Sequence, residues 1–113
     1  MERIYLNARD YYPVLDARQP PSLVVVTSPA CGACRRLSRL LDALPPLLPS
    51  LVLFEVDAAS APGIVEDLEI FHLPALFLYR EGDYHAPVHA VLQAAALAAA
   101  VSAAAAGPRH EPP

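Results

Sequence analysis

The chain of 113 residues contains no tryptophan and no lysine, and it has only two cysteines, one methionine and four glycines. Two cysteines cannot form a disulfide scaffold, so the fold must depend on the packing of an apolar core. A net charge of −4, with eight arginines and no lysine, argues against nucleic acid as a general partner. Residues 1–10 contain no long apolar run, so we expect no targeting signal and a cytoplasmic protein.

Apolar residues make up 55% of the chain, which is enough for a folded domain with a buried core. We predict one domain over residues 1–106, followed by a disordered, proline-rich tail over residues 107–113. The segment 90–106 is the one candidate for a membrane span, but it is short and mostly alanine. We therefore expect a packed terminal helix, no membrane partner and, by default, a monomer.

The two cysteines, Cys31 and Cys34, lie between an apolar run at 23–26 and a segment with helical periodicity. This order predicts a strand, a turn and a helix that begins at the first cysteine. Unpaired backbone N–H groups and the positive end of the helix dipole would favour the thiolate of Cys31. Cys34 lies one turn further in, on the side of a leucine stripe formed by Leu37, Leu40, Leu41 and Leu44. We therefore assign Cys31 as the attacking thiol and Cys34 as the resolving thiol.

Apolar runs and turn residues predict the remaining elements. The first half alternates strand and helix, as in parallel βαβ units, and Glu81-Gly82-Asp83 predicts a hairpin turn. Pro87 places the last strand at an edge of the sheet. The prediction is an α/β fold with a central mixed β-sheet flanked by helices on both faces. Its strands are at 23–26, 51–57, 75–79 and 84–90, and its helices at 7–17, 31–44, 61–69 and 91–106.

Three features of the chain lie at characteristic spacings. They are Cys31-Gly32-Ala33-Cys34 at a strand-to-helix turn, Leu73-Pro74 opening a strand forty residues after the second cysteine, and a strand end at Val56-Asp57 before a short helix. Together they resemble the thioredoxin-fold family over residues 23–106. The resemblance implies exchange of a Cys31–Cys34 dithiol or disulfide with protein substrates. It implies no cofactor, since electrons come from another dithiol, and a recycling reductase as a possible further partner.

The resemblance also implies roles for residues around the dithiol. Pro74 should follow a cis peptide bond and lie against the sulfur of Cys31. Leu73 should help to shape the surface that binds the substrate. Gly32 and Ala33, between the two cysteines, should tune the reduction potential of the pair. The remaining residues that border the substrate are Ala30, Gly32 and Ala33.

Two positions depart from the family pattern. Ala30 stands where the family usually has tryptophan, and Val25 stands where it has a buried acid that accepts a proton from the resolving cysteine. Glu55, on the next predicted strand, is a candidate to replace that acid. These departures keep open a second interpretation, in which the chain is a non-catalytic thioredoxin-fold interaction or assembly module.

Other interpretations of the individual residues also remain open. The cysteines could be small buried hydrophobes or could hold a metal between two chains. Within one chain we predict no metal site, because zinc needs about four ligands and there is no second Cys-x-x-Cys or close histidine pair. Positive charge on His72 or Arg35 would lower the pKa of the Cys31 thiol. The alternative for both residues is a solvated surface position.

Overall fold

The computed structural model describes residues 2–113 as one five-stranded sheet covered by α-helices. The strands are β1 (Arg3–Leu6), β2 (Ser22–Thr27), β3 (Val52–Asp57), β4 (Ala75–Arg80) and β5 (Asp83–Val88). The helices are α1 (Tyr11–Asp16), α2 (Gly32–Ala43), α3 (Pro62–Asp67) and α4 (Ala94–Ala106), and a 3₁₀ turn covers Ala58–Ser60.

The sheet is mixed, with strand order β1-β3-β2-β4-β5. β3 runs parallel to β1 and β2, whereas β4 pairs antiparallel with β2 and β5. β2 is central and every one of its residues is buried. β5 lies at an edge, where the missing N–H of Pro87 costs no hydrogen bond within the sheet. The predicted α/β architecture is confirmed.

Alternating side chains divide the interior into two apolar clusters, one on each face of the sheet. On one face, Val24 and Val26 of β2 pack with side chains from α1 and α3, including Tyr11, Leu15 and Ile64. On the other face, Leu23 and Val25 pack with the leucine stripe of α2 and with α4, including Leu37, Leu41 and Leu97. The leucine stripe that predicted α2 is therefore the face of this helix that packs against the sheet.

β1 was not predicted from the sequence. Arg3 to Leu6 pair in register with Leu53 to Val56 of β3, although Ile4 and Tyr5 remain exposed. Four residues with a charge and two exposed apolar side chains carry little periodic signal, so the partner strand decides their conformation. The predicted boundaries of α1 and α4 were also too wide, because these helices span residues 11–16 and 94–106.

α4 is a helix of 13 residues, most of them alanine. Leu97 and Val101 are buried against the sheet, whereas most of the alanines lie at the surface or are half-buried. Within residues 2–113, no helix combines the length and the apolar character needed to cross a bilayer.

The segment 107–113, for which the composition predicts disorder, lies along β5 in the structure. The side chain of Arg109 donates a hydrogen bond to the carbonyl oxygen of Tyr84 at 3.2 Å, and its guanidinium is 3.6 Å from the Asp83 carboxylate. The backbone N–H of His110 donates to the carbonyl oxygen of His85 at 2.6 Å. The ion pair is exposed, so it contributes little to the stability of this arrangement.

Candidate functional site

The two cysteines lie where β2 leads into α2. β2 ends at Thr27, and the following turn is closed by Ser28, whose carbonyl oxygen accepts from the N–H of Cys31 at 3.2 Å. Cys31 has extended backbone angles and is the N-cap of α2. Its carbonyl oxygen already accepts the first helical hydrogen bond, from the N–H of Arg35 at 3.2 Å. The predicted position of Cys31, at the start of the helix, is therefore observed.

Cys31 and Cys34 are joined as a disulfide, with their Cα atoms 5.1 Å apart. The N–H of Cys34 donates to the sulfur of Cys31 at 3.1 Å, as a side-chain oxygen would accept at an ordinary N-cap. Cys31 is half-buried, whereas only 4% of Cys34 is exposed. The pair is therefore asymmetric: one sulfur lies at the helix terminus and is partly open to solvent, and the other is covered.

The residues next to the cysteines differ in exposure. Ala30 is exposed, and Gly32 and Ala33 are half-buried in the first turn of α2. The guanidinium of Arg35 donates to the carbonyl oxygen of Pro29 at 3.2 Å, so its positive charge lies over the turn that precedes Cys31. These residues thus form the surface immediately around the disulfide.

Leu73 and Pro74 are at the same end of the sheet as the disulfide. Ala75, the first residue of β4, is paired with Val26 near the end of β2, so the residues just before β4 lie beside the turn that follows β2. The peptide bond between Leu73 and Pro74 is cis. Leu73 is half-buried and packs against the cluster on the α1 and α3 face.

An open apolar groove of about 370 Å³ extends from Pro74 towards β5. Its wall includes His72, which is exposed, and His89. Phe71 stands at the groove with 86% of its surface exposed. The groove is the surface next to Pro74 that could receive an extended segment of another protein.

A second cavity, of about 280 Å³, lies between α2 and the ends of β2 and β3. Cys34, Ser38 and Glu55 line it together with Thr27 and Asp57. The hydroxyl of Thr27 donates to Oε2 of Glu55 at 3.2 Å. This cavity brings the buried sulfur and two carboxylates to one place.

Arg3 joins three elements of the fold beside this cavity. Its Nη1 donates to Oγ of Ser38 at 2.8 Å and to Oε1 of Glu55 at 3.1 Å, and its Nη2 donates to Oδ1 of Asp42 at 2.7 Å. Burial alone would lower the pKa of Arg3, but the hydrogen bond to Tyr5 and the charges of Glu55 and Asp42 outweigh burial and raise the pKa. Arg3 thus remains charged and links β1 to β3 and α2.

Sequence reasoning did not identify Arg3, Thr27, Ser38 or Phe71 as part of the site. Arg3 contacts residues 35 to 52 positions away, so no local pattern could reveal its partners. Ser38 was recognisable only as the residue one turn after Cys34 on the same helix face. For metals, the described residues contain no group of three or more histidine, cysteine or acidic side chains that could hold an ion.

The fold and the Cys-x-x-Cys turn define a thioredoxin-type chain with a disulfide-forming pair at the start of a helix. The Thioredoxin family model matches residues 2–103, and the chain therefore belongs to the thioredoxin family. It is 30% identical to Thioredoxin domain-containing protein 2 of Rattus norvegicus over 81 residues, which are 71% of this chain and 15% of that protein. It is 35% identical to thioredoxin of Chlamydia trachomatis over 52 residues, 46% of this chain and 51% of that protein. The matches cover about half or less of these relatives.

Solved structures agree on the fold. The zinc-bound form of human ERp44 superposes with a TM-score of 0.74 and 20% identity, covering 89% of this chain and 30% of that one. Thioredoxin from Trypanosoma brucei brucei superposes with a TM-score of 0.69 and 18% identity, covering 78% of each chain. At these identities the likeness concerns the thioredoxin fold.

Proposed function

We propose that this chain is a thiol–disulfide oxidoreductase that exchanges the Cys31–Cys34 pair with protein substrates. The observation that carries the proposal is the asymmetry of the two sulfurs. Cys31 is partly exposed at the helix terminus and receives a hydrogen bond from the N–H of Cys34. Such donors, together with the helix dipole, stabilise a thiolate, which is the nucleophilic form of cysteine.

The reaction follows from this geometry in two exchanges. In the reduced protein, the thiolate of Cys31 attacks one sulfur of a substrate disulfide, and the other substrate sulfur leaves as a thiolate and takes a proton from water. Cys34 then loses its proton and attacks the sulfur of Cys31 in the mixed disulfide. The Cys31–Cys34 disulfide forms, the substrate receives both electrons as a dithiol, and no cofactor is required.

We further propose that the groove next to Pro74 binds the polypeptide on either side of the substrate disulfide. Exposed Phe71 and the cis-linked Pro74 both line this groove, and β4 begins directly after Pro74, beside the end of β2 that leads to the disulfide. Leu73, Ala30, Gly32 and Ala33 would complete the contact surface. The groove is open and mostly apolar, and its walls come from the segment before β4 and from β5, so an extended segment of another protein can lie in it.

A trapping experiment tests the roles of the two sulfurs. Cys34→Ser should accumulate a mixed disulfide with a disulfide-containing protein, because Cys31 still attacks and nothing resolves the product. Cys31→Ser should accumulate none. Equal trapping by both variants would contradict the assignment of Cys31 as nucleophile.

The direction of electron flow is set by the reduction potential of the pair. Equilibration in graded dithiol and disulfide buffers, followed by alkylation and mass measurement, gives this potential. A value of about −270 mV would make the chain a reductant, and about −120 mV would make it an oxidant. The absence of a reversible couple would exclude the proposed activity.

The second candidate is a non-catalytic interaction module built on the same fold. The apolar groove and the exposed Phe71 favour it, since neither needs a reactive sulfur in order to bind a partner. Replacing both cysteines by serine separates the two functions. Binding that persists in this variant, with no reversible redox couple in the wild-type chain, would support the interaction module.

We propose a reducing cytoplasm as the compartment and a monomer as the working form, with a separate reductase to regenerate the dithiol. Size-exclusion chromatography tests the monomer. Alkylation of the cysteines in rapidly acidified cells tests the compartment, because a chain in a reducing compartment should be recovered largely as the dithiol.

A further inference from the structure

The buried sulfur presents a chemical problem that the proposed reaction must solve. Cys34 must lose a proton before it can attack, yet it is only 4% exposed, and burial disfavours the charged thiolate. A proton acceptor inside the cavity that borders Cys34 would remove this obstacle.

Glu55 is placed to be that acceptor. Its Oε1 and the hydroxyl of Ser38 bind the same nitrogen of Arg3, at 3.1 and 2.8 Å, so the carboxylate lies beside α2 at the level of Ser38. Ser38 follows Cys34 by four residues, and residues at this spacing are neighbours on one helix face. Both Cys34 and Glu55 line the same cavity of about 280 Å³, which has room for a bridging water.

Asp57 is the other carboxylate of this cavity, but both of its oxygens accept hydrogen bonds from the 3₁₀ turn after β3. Its Oδ1 accepts from the N–H of Ala59 and its Oδ2 accepts from the hydroxyl of Ser60, both at 3.0 Å, so it caps the 3₁₀ turn after β3. Glu55 instead has side-chain partners only, Arg3 and Thr27, and neither belongs to a helix cap. Its side chain is 17% exposed and therefore partly withdrawn from water.

We infer that Glu55 accepts the proton of Cys34 when the mixed disulfide is resolved, and that Arg3 is the positioning residue that holds its carboxylate in place. This inference rests on the proposed function. The proton moves from the Cys34 sulfur to the carboxylate, directly or through one water. The Cys34 thiolate then forms a bond to the Cys31 sulfur, and the bond between Cys31 and the substrate sulfur breaks. The substrate thiolate takes a proton from water, and Glu55 later returns its own to water.

The charged groups around the cavity must be considered together in any pH experiment. β1 contributes Arg3 and Tyr5, α2 contributes Arg35 and, through Arg3, Asp42, and β3 contributes Asp57 as well as Glu55. Arg3 is bonded to Glu55 and Asp42, so a single positive charge serves two carboxylates. A substitution at Glu55 therefore needs a control that alters the same network without altering the acceptor.

The experiment follows both exchanges in one reaction with an aromatic disulfide whose released thiol is coloured. Mixed in an equimolar amount with the fully reduced protein, so that no reagent remains to react with Cys34 directly, it should release one thiol when Cys31 attacks and a second when Cys34 resolves. In Glu55→Gln we expect an unchanged first phase and a second phase slowed at least about tenfold near pH 7, because a general base contributes a factor of this order or more.

The pH dependence distinguishes a proton acceptor from a structural residue. Transfer within the protein exchanges no proton with solvent, so the wild-type second phase should change little between about pH 6 and pH 8. In Glu55→Gln the proton must leave to solvent, and the second phase should rise up to about a hundredfold over the same range. Glu55→Asp keeps a carboxylate and should recover part of the wild-type rate and its flat profile.

The matched control is Asp42→Asn, which removes another partner of Arg3 on the exposed side of the network. Both phases should remain as in the wild-type chain. A second phase in Glu55→Gln with wild-type rate and pH profile would overturn the role of Glu55. If Glu55→Gln does not fold, a second phase in the wild-type chain that rises steeply with pH would equally overturn the role of Glu55. If the wild-type chain releases no second thiol at all, it is the proposed function that fails.

Discussion

The N–H of Cys34 donates a hydrogen bond to the sulfur of Cys31 at 3.1 Å, at the first turn of α2. The donor belongs to one cysteine and the acceptor to the other, so a single contact distinguishes the two sulfurs. In the reduced protein this donor would stabilise negative charge on Cys31 and would do nothing for Cys34. The hydrogen bond thus favours attack on the substrate by Cys31 first, with Cys34 reacting second.

The first prediction concerns the reactivity of the two thiols. After reduction at about pH 7, iodoacetamide should modify Cys31 faster than Cys34 by about tenfold or more, because Cys31 is the more exposed and the more stabilised as a thiolate. Time-resolved peptide mass spectrometry measures both rates in one sample. Denaturing the protein in urea should make the two rates similar, and equal rates in the folded protein would contradict the prediction.

The sequence predicted those parts of the site that depend on local pattern. The run at 23–26 reads as a buried strand, and the leucine stripe after Cys34 orients α2, so the cysteines could be placed at the helix start with one sulfur inward. Leu73-Pro74 could be placed beside them only through the family resemblance, because nothing local brings residue 74 to residue 31. The observed pairing of Ala75 with Val26 supplies that link.

Long-range polar contacts could not be predicted in the same way. Glu55 was recognisable as an acid on a strand face near the dithiol, but its partner Arg3 is 52 residues away, on a strand that the sequence did not reveal. An arginine near the start of a chain reads as a solvated side chain. Only the parallel pairing of β1 with β3 brings it under α2.

The second prediction concerns the turn between β4 and β5. Gly82 has φ of +81°, and a Cβ there would lie 2.5 Å from the carbonyl oxygen of Asp16. Gly82→Ala should therefore reduce the free energy of unfolding by about 1–3 kcal/mol, measured by urea denaturation. The clash is with backbone of α1, so a change of rotamer cannot relieve it.

Gly63 is the matched control for this substitution. It lies in α3, and a Cβ added there meets no atom within 4 Å. Gly63→Ala should leave the stability unchanged or raise it by up to about 1 kcal/mol, because alanine restricts the unfolded chain and favours the helix. Similar losses in both variants would show that the strain at residue 82 is not the cause.

The third prediction concerns the groove beside Pro74 and rests on the proposed function. Phe71→Ala should raise the KM for a protein disulfide by about fivefold or more, as expected for loss of an aromatic contact, and leave kcat unchanged. The rate with a small aromatic disulfide should not change, since such a molecule has no chain to lie in the groove. Stability should also be unaffected, because Phe71 is largely exposed.

Val91→Ala removes an exposed apolar side chain that does not line this groove, and it serves as the control. Its KM for the protein disulfide should equal that of the wild-type chain. If Phe71→Ala and Val91→Ala had the same effect, general surface hydrophobicity rather than the groove would explain substrate binding.

The fourth prediction concerns alkaline stability and two buried tyrosines. The hydroxyls of Tyr11 and Tyr79 are 2.7 Å apart within the cluster on the α1 and α3 face. Burial raises the pKa of Tyr79 to about 12, and burial together with the charge of Tyr79 raises the pKa of Tyr11 further. Both values lie above the pKa of about 10 for tyrosine in an unfolded chain.

The sign follows from proton binding. Between about pH 10 and pH 12 the unfolded chain has released these protons while the folded chain retains them, so the folded state binds more protons and stability falls as pH rises. The contribution of both tyrosines is complete below about pH 10; that of Tyr79 is lost as the pH passes about 12, and that of Tyr11 is lost at still higher pH. Urea denaturation at a series of alkaline pH values measures the slope.

A double variant tests whether these two residues cause the loss. Tyr11→Phe combined with Tyr79→Phe removes both hydroxyls, so no buried oxygen is left without a partner and stability near pH 7 should change by only about 1 kcal/mol. Its stability should fall less steeply above about pH 10 than that of the wild-type chain. An unchanged slope in the double variant would mean that other groups are responsible for the alkaline loss.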